Sequence, residues 1–319
     1  MTPWLVLLLK SKVYFMKKIL ITGVAGFIGS HVANRFLHEG YSVVGVDDLS
    51  SGKLENVPKG LEFIQGDLAL SSTIKRLPKD CNKILHLAGQ SSGEVSFDDP
   101  VADLEKNTVS TLNLIIYGIE YKIERLVYAS SMSVYGAVPN KLISEGFDCK
   151  PLSCYGVGKL TSEGYLRIYQ KKLPSVCLRM FNVYGPGQPE HFLIPTIINQ
   201  VLQHREITLL DLNPKRDYIF IDDVVEAWFR ASTYSLALGQ TLNLGTGVKT
   251  TVGQLLDRVC EIVPGSNYFI QGSTPGDQSG IFADVTMLKK CLGIKSFTPL
   301  DIGLKNFADW ARKSKFIYN

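Results

Sequence analysis

The most constraining feature of the chain is a glycine-rich turn between a short apolar strand and an amphipathic helix. Residues 22–29 read Thr-Gly-Val-Ala-Gly-Phe-Ile-Gly, and the preceding Lys18–Thr22 has strand character. Apolar residues then recur at helical spacing, and Gly40 ends that pattern as a C-terminal glycine does. A second apolar run follows from Tyr41. This order of strand, turn, helix and strand predicts the opening βαβ unit of a parallel sheet.

The glycines of this turn indicate a phosphate-binding loop. Gly23, Gly26 and Gly29 would let the backbone approach a pyrophosphate at the start of the helix. Their spacing is G-x-x-G-x-x-G instead of the usual G-x-G-x-x-G, so an ordinary tight turn is the alternative. Asp47, about 20 residues further on, favours a dinucleotide, because a carboxylate there accepts both hydroxyls of a ribose. The carboxylate would repel a 2′-phosphate and the turn holds no arginine, so we predict NAD rather than NADP.

Short apolar runs alternate with helical stretches through the first half of the chain. Apolar residues from Val101 to Ile119 trace one helix face, and a second helix is predicted from about 153 to 171. The alternation predicts an α/β fold with a doubly wound parallel sheet. After about residue 182 the elements become shorter and mixed, which predicts a smaller mixed α/β C-terminal lobe for a substrate. We expect the following divisions: 1–15 outside the fold, 16–182 for the cofactor, and 183–319 for the substrate, with 216–247 returning to the main sheet.

Polar side chains follow several of the predicted strands. Asp67 ends the third strand, where it could accept from an adenine amino group, although a loop-capping aspartate is the alternative. His86 ends the fourth, and we expect it to pack and to form hydrogen bonds without a chemical role. Ser131 follows the strand over 125–129, in a serine-rich segment that could also be a simple turn. The carboxyl ends of parallel strands form the edge where such sheets bind ligands.

Tyr155 and Lys159 stand four residues apart and would share one helix face. A free tyrosine has a pKa of about 10, and bringing it to about 7 requires roughly 4 kcal/mol of preferential stabilisation of the phenolate. A nearby ammonium and an oxidised nicotinamide ring could supply this jointly. Tyr155 would then act as a base towards a substrate hydroxyl, with Ser131 hydrogen-bonded to the reacting oxygen. The spacing alone also occurs on ordinary surface helices.

Charge and cysteine content exclude several other classes of protein. Lys plus Arg number 34 against 30 Asp plus Glu, and the net charge of +4 is scattered without the basic stripe of a nucleic-acid binder. The six cysteines form no C-x-x-C pair and no histidine pattern suits zinc, so we expect no metal and reduced thiols, as in the cytoplasm. The apolar run from Trp4 to Leu9 is too short to span a membrane.

An ordered set of motifs resembles the extended short-chain dehydrogenase/reductase family, and within it the NAD-dependent nucleotide-sugar epimerases and dehydratases. The resemblance runs from about residue 17 nearly to the C-terminus. It implies a Rossmann domain that holds NAD and a second lobe that holds a nucleotide diphosphate-sugar. The motifs are TGVAGFIG, the Asp47 strand end, GDL, HLAG, SSMSVYG, YGVGK, RMFNVYGPGQ, RDYIFIDDVVEA and NLGTG.

The resemblance also implies roles for individual residues. It makes Ser131, Tyr155 and Lys159 the catalytic triad, and Lys159 would also hold the nicotinamide ribose. Asn182 and Arg216 would contact the substrate diphosphate. The other matched positions are Gly23, Gly26, Phe27, Ile28, Asp47, Asp67, Leu68, Leu87 and Ala88 for the cofactor, and Ser131, Ser133 and Ile281 for the substrate.

Departures from the family patterns separate its branches. The dehydratases carry an Asp-Glu pair where this chain has Met132-Ser133, and the decarboxylating relatives need a glutamate at the second position. Thr274 replaces an arginine that commonly clamps the diphosphate, and Ile281 stands at the size gate of the sugar pocket. An epimerase resembling the UDP-hexose 4-epimerases remains, in which the sugar is oxidised at C4, turns over and is reduced on its other face.

The resemblance also suggests a homodimer, formed by the helices at about 100–120 and 153–171. Their apolar faces are wide enough for both a core and a partner. Two alternatives remain open: a nucleotide-sugar reductase or 2-epimerase of the same family, and a dinucleotide-binding regulator without catalysis.

Overall fold

The computed structural model describes residues 17–138, 141–203, 207–209, 211–263, 268–270 and 280–314. The expectations for residues 1–15 and for Thr274 lie outside the described residues. The helices are α1 Phe27–His38, α2 Ser71–Ile74, α3 Val95–Asp98, α4 Pro100–Leu104, α5 Ser110–Glu120, α6 Cys154–Tyr169, α7 Leu193–Leu202, α8 Ile221–Thr233, α9 Val252–Ile262, α10 Thr286–Leu292 and α11 Leu300–Lys313. The strands are β1 Lys18–Thr22, β2 Ser42–Asp47, β3 Glu62–Gln65, β4 Lys83–His86, β5 Arg125–Ser131, β6 Lys141–Ile143, β7 Ser175–Met180, β8 Asn182–Tyr184, β9 Ile207–Leu209, β10 Lys215–Arg216, β11 Tyr218–Phe220, β12 Thr241–Leu244, β13 Thr250–Thr251, β14 Tyr268–Ile270 and β15 Ile281–Ala283.

A seven-stranded parallel sheet forms the centre of the described part of the chain. Its order is β12-β7-β5-β4-β1-β2-β3, and each neighbouring pair is parallel. The chain proceeds from β1 to β2 on one side and returns to β4 on the other, so the sheet reverses direction beside β1. Ligands bind at such switch points, at the carboxyl ends of the strands. The predicted doubly wound α/β fold is confirmed. The later strand β12 lies at the edge, next to β7.

Helices cover both faces of the sheet, because its strands are apolar on both sides. Val32 and Phe36 of α1 and Trp228 of α8 are buried in one cluster. Leu114 of α5 and Leu166 of α6 are buried in a second cluster on the opposite side of the strands. Short strands pair outside the central sheet: β10 with β13, β11 with β8, β14 with β9, and β15 with β6. Within the described residues, no helix has both the length and the apolar character needed to cross a membrane.

The helix predicted as one element over 101–119 is interrupted. Between α4 and α5, residues Glu105–Val109 form a π-helical turn. Hydroxyl groups compete for the backbone carbonyls there: Ser110 donates to the carbonyl of Lys106 at 2.5 Å, and Thr111 donates to that of Asn107 at 2.7 Å. Side-chain donors of this kind distort a helix, and π turns often mark functional sites. The apolar periodicity carried no sign of the interruption.

Two buried cations hold the C-terminal end of α8 against the sheet. Lys83 donates to the carbonyl of Ser232 at 2.6 Å. Arg125 donates to the carbonyls of Ala231 at 2.7 Å and Tyr234 at 2.9 Å. Carbonyls at a helix end lack partners within the helix, and a positive charge there also complements the helix dipole.

The substitution Arg125→Met is therefore expected to lower the free energy of unfolding by about 2 kcal/mol, since it leaves buried carbonyls without donors. Urea denaturation measures the loss. The control is Arg258→Met, which removes an exposed arginine paired with Glu261 and is expected to change stability by less than about 0.5 kcal/mol. Equal losses for the two variants would contradict this role for Arg125.

Candidate active site

A cleft of about 1320 Å³ opens at the carboxyl edge of the central sheet. Almost every site residue expected from the sequence lines it. Those for the cofactor are Gly23, Gly26, Phe27, Ile28, Asp47, Asp67, Leu68, Leu87 and Ala88, and those for catalysis and the substrate are Ser131, Ser133, Tyr155, Lys159, Asn182 and Arg216. Ile281 is not part of the lining.

The glycine turn has no room for side chains at two of its three glycines. Gly23 has a φ of +70°, and a Cβ there would lie 2.7 Å from the amide nitrogen of Ala88. A Cβ on Gly29 would lie 1.9 Å from the carbonyl oxygen of Gly23. Gly26 caps α1 without any side-chain hydrogen bond. The first amides of α1 are therefore not capped by a side chain at the cleft, as a phosphate site requires.

Asp47 is fixed at the end of β2 beside this turn. Its carboxylate accepts from the amides of Ala25 at 3.0 Å and Leu49 at 2.9 Å. Burial raises the pKa of Asp47, and these hydrogen bonds act in the opposite direction. The side chain is held on the cleft wall, where a ribose would meet it. Asp67 also lines the cleft, but its carboxylate accepts from the amide of Ala69 at 2.8 Å, so it does cap its own loop.

These residues fit a bound NAD. The backbone cradle at Gly23 and Gly29 excludes a Cβ, the uncapped start of α1 suits a pyrophosphate, and the Asp47 carboxylate suits ribose hydroxyls. Gly89 adds a second close approach, because its φ is +147° and a Cβ there would lie 2.5 Å from Oδ1 of Asn107. Within the described residues, no cluster of His, Cys, Asp and Glu side chains could hold a metal ion.

Ser131 and Tyr155 meet at the base of the cleft. Ser131 ends β5, and its hydroxyl lies 3.1 Å from the hydroxyl of Ser133 and accepts from the amide of Ser133 at 3.1 Å. Ser153 caps α6 by accepting from the amide of Gly156, so that Tyr155 lies in the first helical turn. Burial raises the pKa of Tyr155, and a hydrogen bond with Ser131 lowers it. The protein's own groups thus leave the phenol protonated at neutral pH.

Lys159 lies one turn further along α6 and is buried. Its ammonium packs 5.1 Å from the ring centre of Tyr128 and 5.6 Å from that of Tyr155. Burial lowers the pKa of Lys159 to about 8, while the charge of Asp103 raises it. One more turn along, Glu163 forms a buried ion pair with Arg179 of β7 at 2.7 Å. This ion pair fixes the reactive face of α6 against the sheet.

His86 is confirmed as a packing and hydrogen-bonding residue. Its ring nitrogens lie 2.8 Å from the hydroxyl of Thr22 and 3.0 Å from that of Thr111. Burial is the main cause that lowers the pKa of His86, to about 3, so the ring is neutral at ordinary pH. Both nitrogens are engaged away from the reacting groups.

The residues expected to bind substrate stand on the opposite wall. Asn182 begins β8 and donates to the carbonyl of Asp217 at 3.1 Å, and its amide nitrogen lies 3.7 Å from the sulfur of Met132. Arg216 ends β10 beside Asp217. Ile281 lies behind this wall, in an apolar cluster that it shares with Met132.

Asp217 was missed by the sequence reasoning, although it organises this wall. It is fully buried, and its carboxylate accepts from the amides of Thr246, Gly247 and Ala283 at 2.8–2.9 Å. Asp103, Asn107 and Gly89 were also missed. The HLAG motif drew attention to the region of Gly89, but no spacing in the sequence connects it with Asp103 and Asn107.

Comparison with known proteins places this geometry among nucleotide-sugar enzymes. Residues 19–245 match the family described as "NAD dependent epimerase/dehydratase family". A UDP-glucose 4-epimerase from Mycolicibacterium smegmatis is 37% identical over 251 residues, which are 75% of this chain and 80% of that protein.

Two solved structures are similar over nearly their whole length. The UDP-glucose 4-epimerase of Thermotoga maritima, solved with UDP-glucose, has a TM-score of 0.87 and 31% identity, and the match covers 93% of this chain and 99% of that one. The UDP-glucuronic acid 4-epimerase of Bacillus cereus, solved with UDP-glucuronic acid and NAD, has a TM-score of 0.85 and 28% identity, with the same coverage.

Proposed function

Since the chain belongs to the NAD-dependent epimerase/dehydratase family, we propose that it interconverts the C4 epimers of a UDP-hexose through a transient 4-keto sugar. The observation that carries the proposal is the grouping of Ser131, Tyr155 and Lys159 in the cleft that also contains the glycine turn and Asp47. Relatives named for this activity, with UDP-glucose or UDP-glucuronic acid bound, support it. NAD is the cofactor of the family.

The residues of the site divide the work on the sugar. Ser131 hydrogen-bonds the C4 oxygen and aligns it with Tyr155, which removes the C4 hydroxyl proton in one direction and returns it in the other. Lys159 holds the nicotinamide ribose and keeps a positive charge next to the phenol. Because burial raises the pKa of Tyr155, the phenolate needs further positive charge nearby. NAD, when bound, supplies that charge in its oxidised form and accepts and returns the hydride.

Cofactor and substrate occupy different walls of the cleft in this account. Gly23, Gly26, Phe27, Ile28, Asp47, Asp67, Leu68, Leu87 and Ala88 hold the cofactor, and Ser133, Asn182 and Arg216 hold the nucleotide-sugar. Arg216 supplies positive charge to the diphosphate. We keep residues 16–182 and 183–319 as the cofactor and substrate regions, with β12 of the second region at the edge of the central sheet.

The residues after Ser131 argue against dehydration. Elimination of water needs an acid and a base beside the reacting carbon, and a thioether and a hydroxyl follow Ser131 at Met132 and Ser133. Both residues line the cleft. Neither side chain ionises near neutral pH, so neither can replace a carboxylate pair.

The direct test incubates the purified protein, without added cofactor, with UDP-glucose, UDP-N-acetylglucosamine and UDP-glucuronic acid in turn. Proton NMR of the anomeric signals is expected to show conversion of at least one of them to its 4-epimer. In a parallel incubation with added NADH or NADPH, consumption of that cofactor during turnover would instead identify a reductase. Epimerisation at C2 would identify a 2-epimerase. A protein that binds NAD but leaves every nucleotide-sugar unchanged would support the regulator.

We also propose that the protein is a homodimer. Apolar side chains stand exposed on neighbouring helices that surround a shallow groove of about 440 Å³ between α4 and the start of α6. Val157 is 51% exposed and Ile168 is 72% exposed, and both lie on α6. Exposed apolar surface of this kind marks an interaction site. A second copy would bury the same surface of both chains around a two-fold axis.

The substitution Val157→Glu is expected to convert the dimer to a monomer, because it places a charge in the apolar contact. Light scattering coupled to size-exclusion chromatography gives the molar mass. The control is Leu236→Glu, at a residue 67% exposed outside these helices, which should stay dimeric. A wild-type protein that is monomeric at all concentrations, or a Val157→Glu variant that still dimerises, would contradict the proposal.

We also propose a cytoplasmic location. The six cysteines are all free, which suits a reducing compartment.

A further inference from the structure

In α4 and the π-helical turn that follows it, two buried oxygens close to Lys159 have no hydrogen-bond partner. They are Oδ1 of Asn107, in the π-helical turn, and Oδ2 of Asp103, one turn earlier in α4. Asp103 is 2% exposed and Asn107 is 1% exposed. Leaving a buried polar atom unpaired is costly, so such atoms need a reason. A carboxylate that served only to stabilise the helix would have both oxygens satisfied, as Glu163 does through Arg179 and Ser130.

Asp103 connects to the active site through Asn107. The Nδ2 of Asn107 donates to Oδ1 of Asp103 at 3.0 Å, which turns the Oδ1 of Asn107 away from Asp103. That Oδ1 lies 2.5 Å from the place where a Cβ on Gly89 would be, and Nζ of Lys159 lies 3.3 Å from the same place. The amide oxygen and the ammonium therefore face one small space beside Gly89. Asp103 determines which end of the amide faces Lys159.

Asp103 also supplies the negative charge that acts on Lys159 among the described residues. From α6 the ammonium faces the Tyr155 ring, and from β5 it faces the Tyr128 ring, both of them neutral phenols. From β4 the neutral His86 is near. From the turn before α5 it faces the uncharged Asn107. Glu163, one helical turn away, is engaged by Arg179.

We propose that Asp103 is a positioning residue for the reaction: it keeps the buried Lys159 ammonium charged and, through Asn107, directs an oxygen towards it. The inference rests on the proposed function for its effect on turnover, but its effect on Lys159 is independent of the substrate. A charged Lys159 is what the site requires beside the Tyr155 phenol, and burial alone works against that charge.

The direction of the effect follows from charge. A negative Asp103 favours the protonated form of Lys159 and so raises its pKa. It disfavours the phenolate and so raises the pKa of Tyr155. Removing the charge should therefore lower both pKa values, and both limbs of the pH profile of kcat should move towards acid. A residue with only a structural role would reduce kcat equally at every pH and move neither limb.

The test uses Asp103→Asn, which has nearly the same shape, and measures Lys159 directly. Lysine labelled with ¹³C at Cε is titrated by NMR in the protein as purified, and the Lys159 signal is assigned by its absence from Lys159→Arg. The pKa of Lys159 is expected to be about one pH unit lower in Asp103→Asn than in wild type. The limbs of the kcat profile, where a UDP-sugar turns over, should move in the same direction.

Three controls separate charge from structure. Asp103→Glu keeps a negative charge at this position, beside the groove between α4 and α6, and should give the wild-type titration of Lys159. Glu105→Gln removes an exposed charge two residues away and should leave it unchanged, since solvent screens that charge. Asp103→Ser gives the same charge removal with a smaller side chain if the Asn variant does not fold. An unshifted Lys159 titration in the charge-removing variants would overturn the proposal, whether or not any UDP-sugar is turned over.

Discussion

Replacing Tyr155 with phenylalanine is expected to lower kcat by about 10³-fold or more, while the protein stays folded and keeps its cofactor. The substitution removes one hydroxyl and leaves the ring that packs beneath the Lys159 ammonium. Proton transfer by a placed side chain contributes about 10²–10⁴-fold to a rate. In the proposed mechanism the Tyr155 hydroxyl both removes the proton and returns it, so its loss affects both halves of the reaction. Ser131 also has a hydroxyl, but an alcohol does not act as a base at neutral pH without a partner that removes its own proton.

The control for this result is Tyr165→Phe, on the same helix. Tyr165 packs against the core on the far side of the sheet from α1 and lies outside the cleft lining. The kcat of this variant should lie within about twofold of wild type, which is a barrier change of less than about 0.5 kcal/mol. Turnover by Tyr155→Phe at a rate near that of Tyr165→Phe would remove Tyr155 from the mechanism. The NAD content of each variant is measured after release by denaturation. Equal contents show that the two kcat values compare proteins with the same amount of bound cofactor.

The substitution Gly29→Ala is expected to have the second large effect. Its Cβ would lie 1.9 Å from the carbonyl oxygen of Gly23, far inside contact distance and against backbone that cannot rotate away. The turn must then shift away from α1, at a cost of about 3 kcal/mol or more. The same shift moves Gly23 and Gly26 from the positions at which they meet a pyrophosphate. We therefore expect both a lower free energy of unfolding and a loss of bound NAD.

Urea denaturation and the NAD content after purification measure these two effects. The control is Gly146→Ala, at an exposed turn position where an added Cβ meets no atom within 4 Å. It should keep wild-type NAD content and stability to within about 0.5 kcal/mol. A Gly29→Ala protein that retains its full NAD content would show that the glycine turn is not the pyrophosphate site. Wild type and Gly29→Ala would then both have to bind the pyrophosphate of NAD at another part of the protein.

The parts of the fold with strong local signals could be predicted from the sequence. The glycine turn and Asp47 predict the first βαβ unit. Only glycine fits at positions 23 and 29, because a Cβ at either would meet backbone atoms at short distance. Tyr155 and Lys159 are brought to one face by helical periodicity. The carboxyl ends of β1, β2, β4 and β5 then bring these groups to one cleft, as parallel strands require. Membership of the NAD-dependent epimerase/dehydratase family confirms the predicted cofactor, NAD.

Features that depend on contacts between distant segments could not be predicted. The π-helical turn near Asn107 is fixed partly by Ser162 of α6, which donates to the carbonyl of Asn107 at 2.9 Å. The proposed role of Asp103 could not be predicted either, because it depends on Lys159, which is more than 50 residues away in the chain. The sequence also could not decide whether Asp67 caps its loop or lines the cofactor cleft, since the one side chain does both.

The most direct test of the account follows the hydrogen at C4. The UDP-sugar that the protein turns over, carrying deuterium at C4, is incubated in ordinary water with the protein as purified and without added cofactor. Its 4-epimer is expected to retain the deuterium at C4, because the same hydrogen leaves and returns within one cleft. Product that has exchanged this deuterium for solvent hydrogen would contradict the proposed mechanism, because it would require a base to remove the hydrogen from C4 as a proton, and not a hydride that passes to NAD and back.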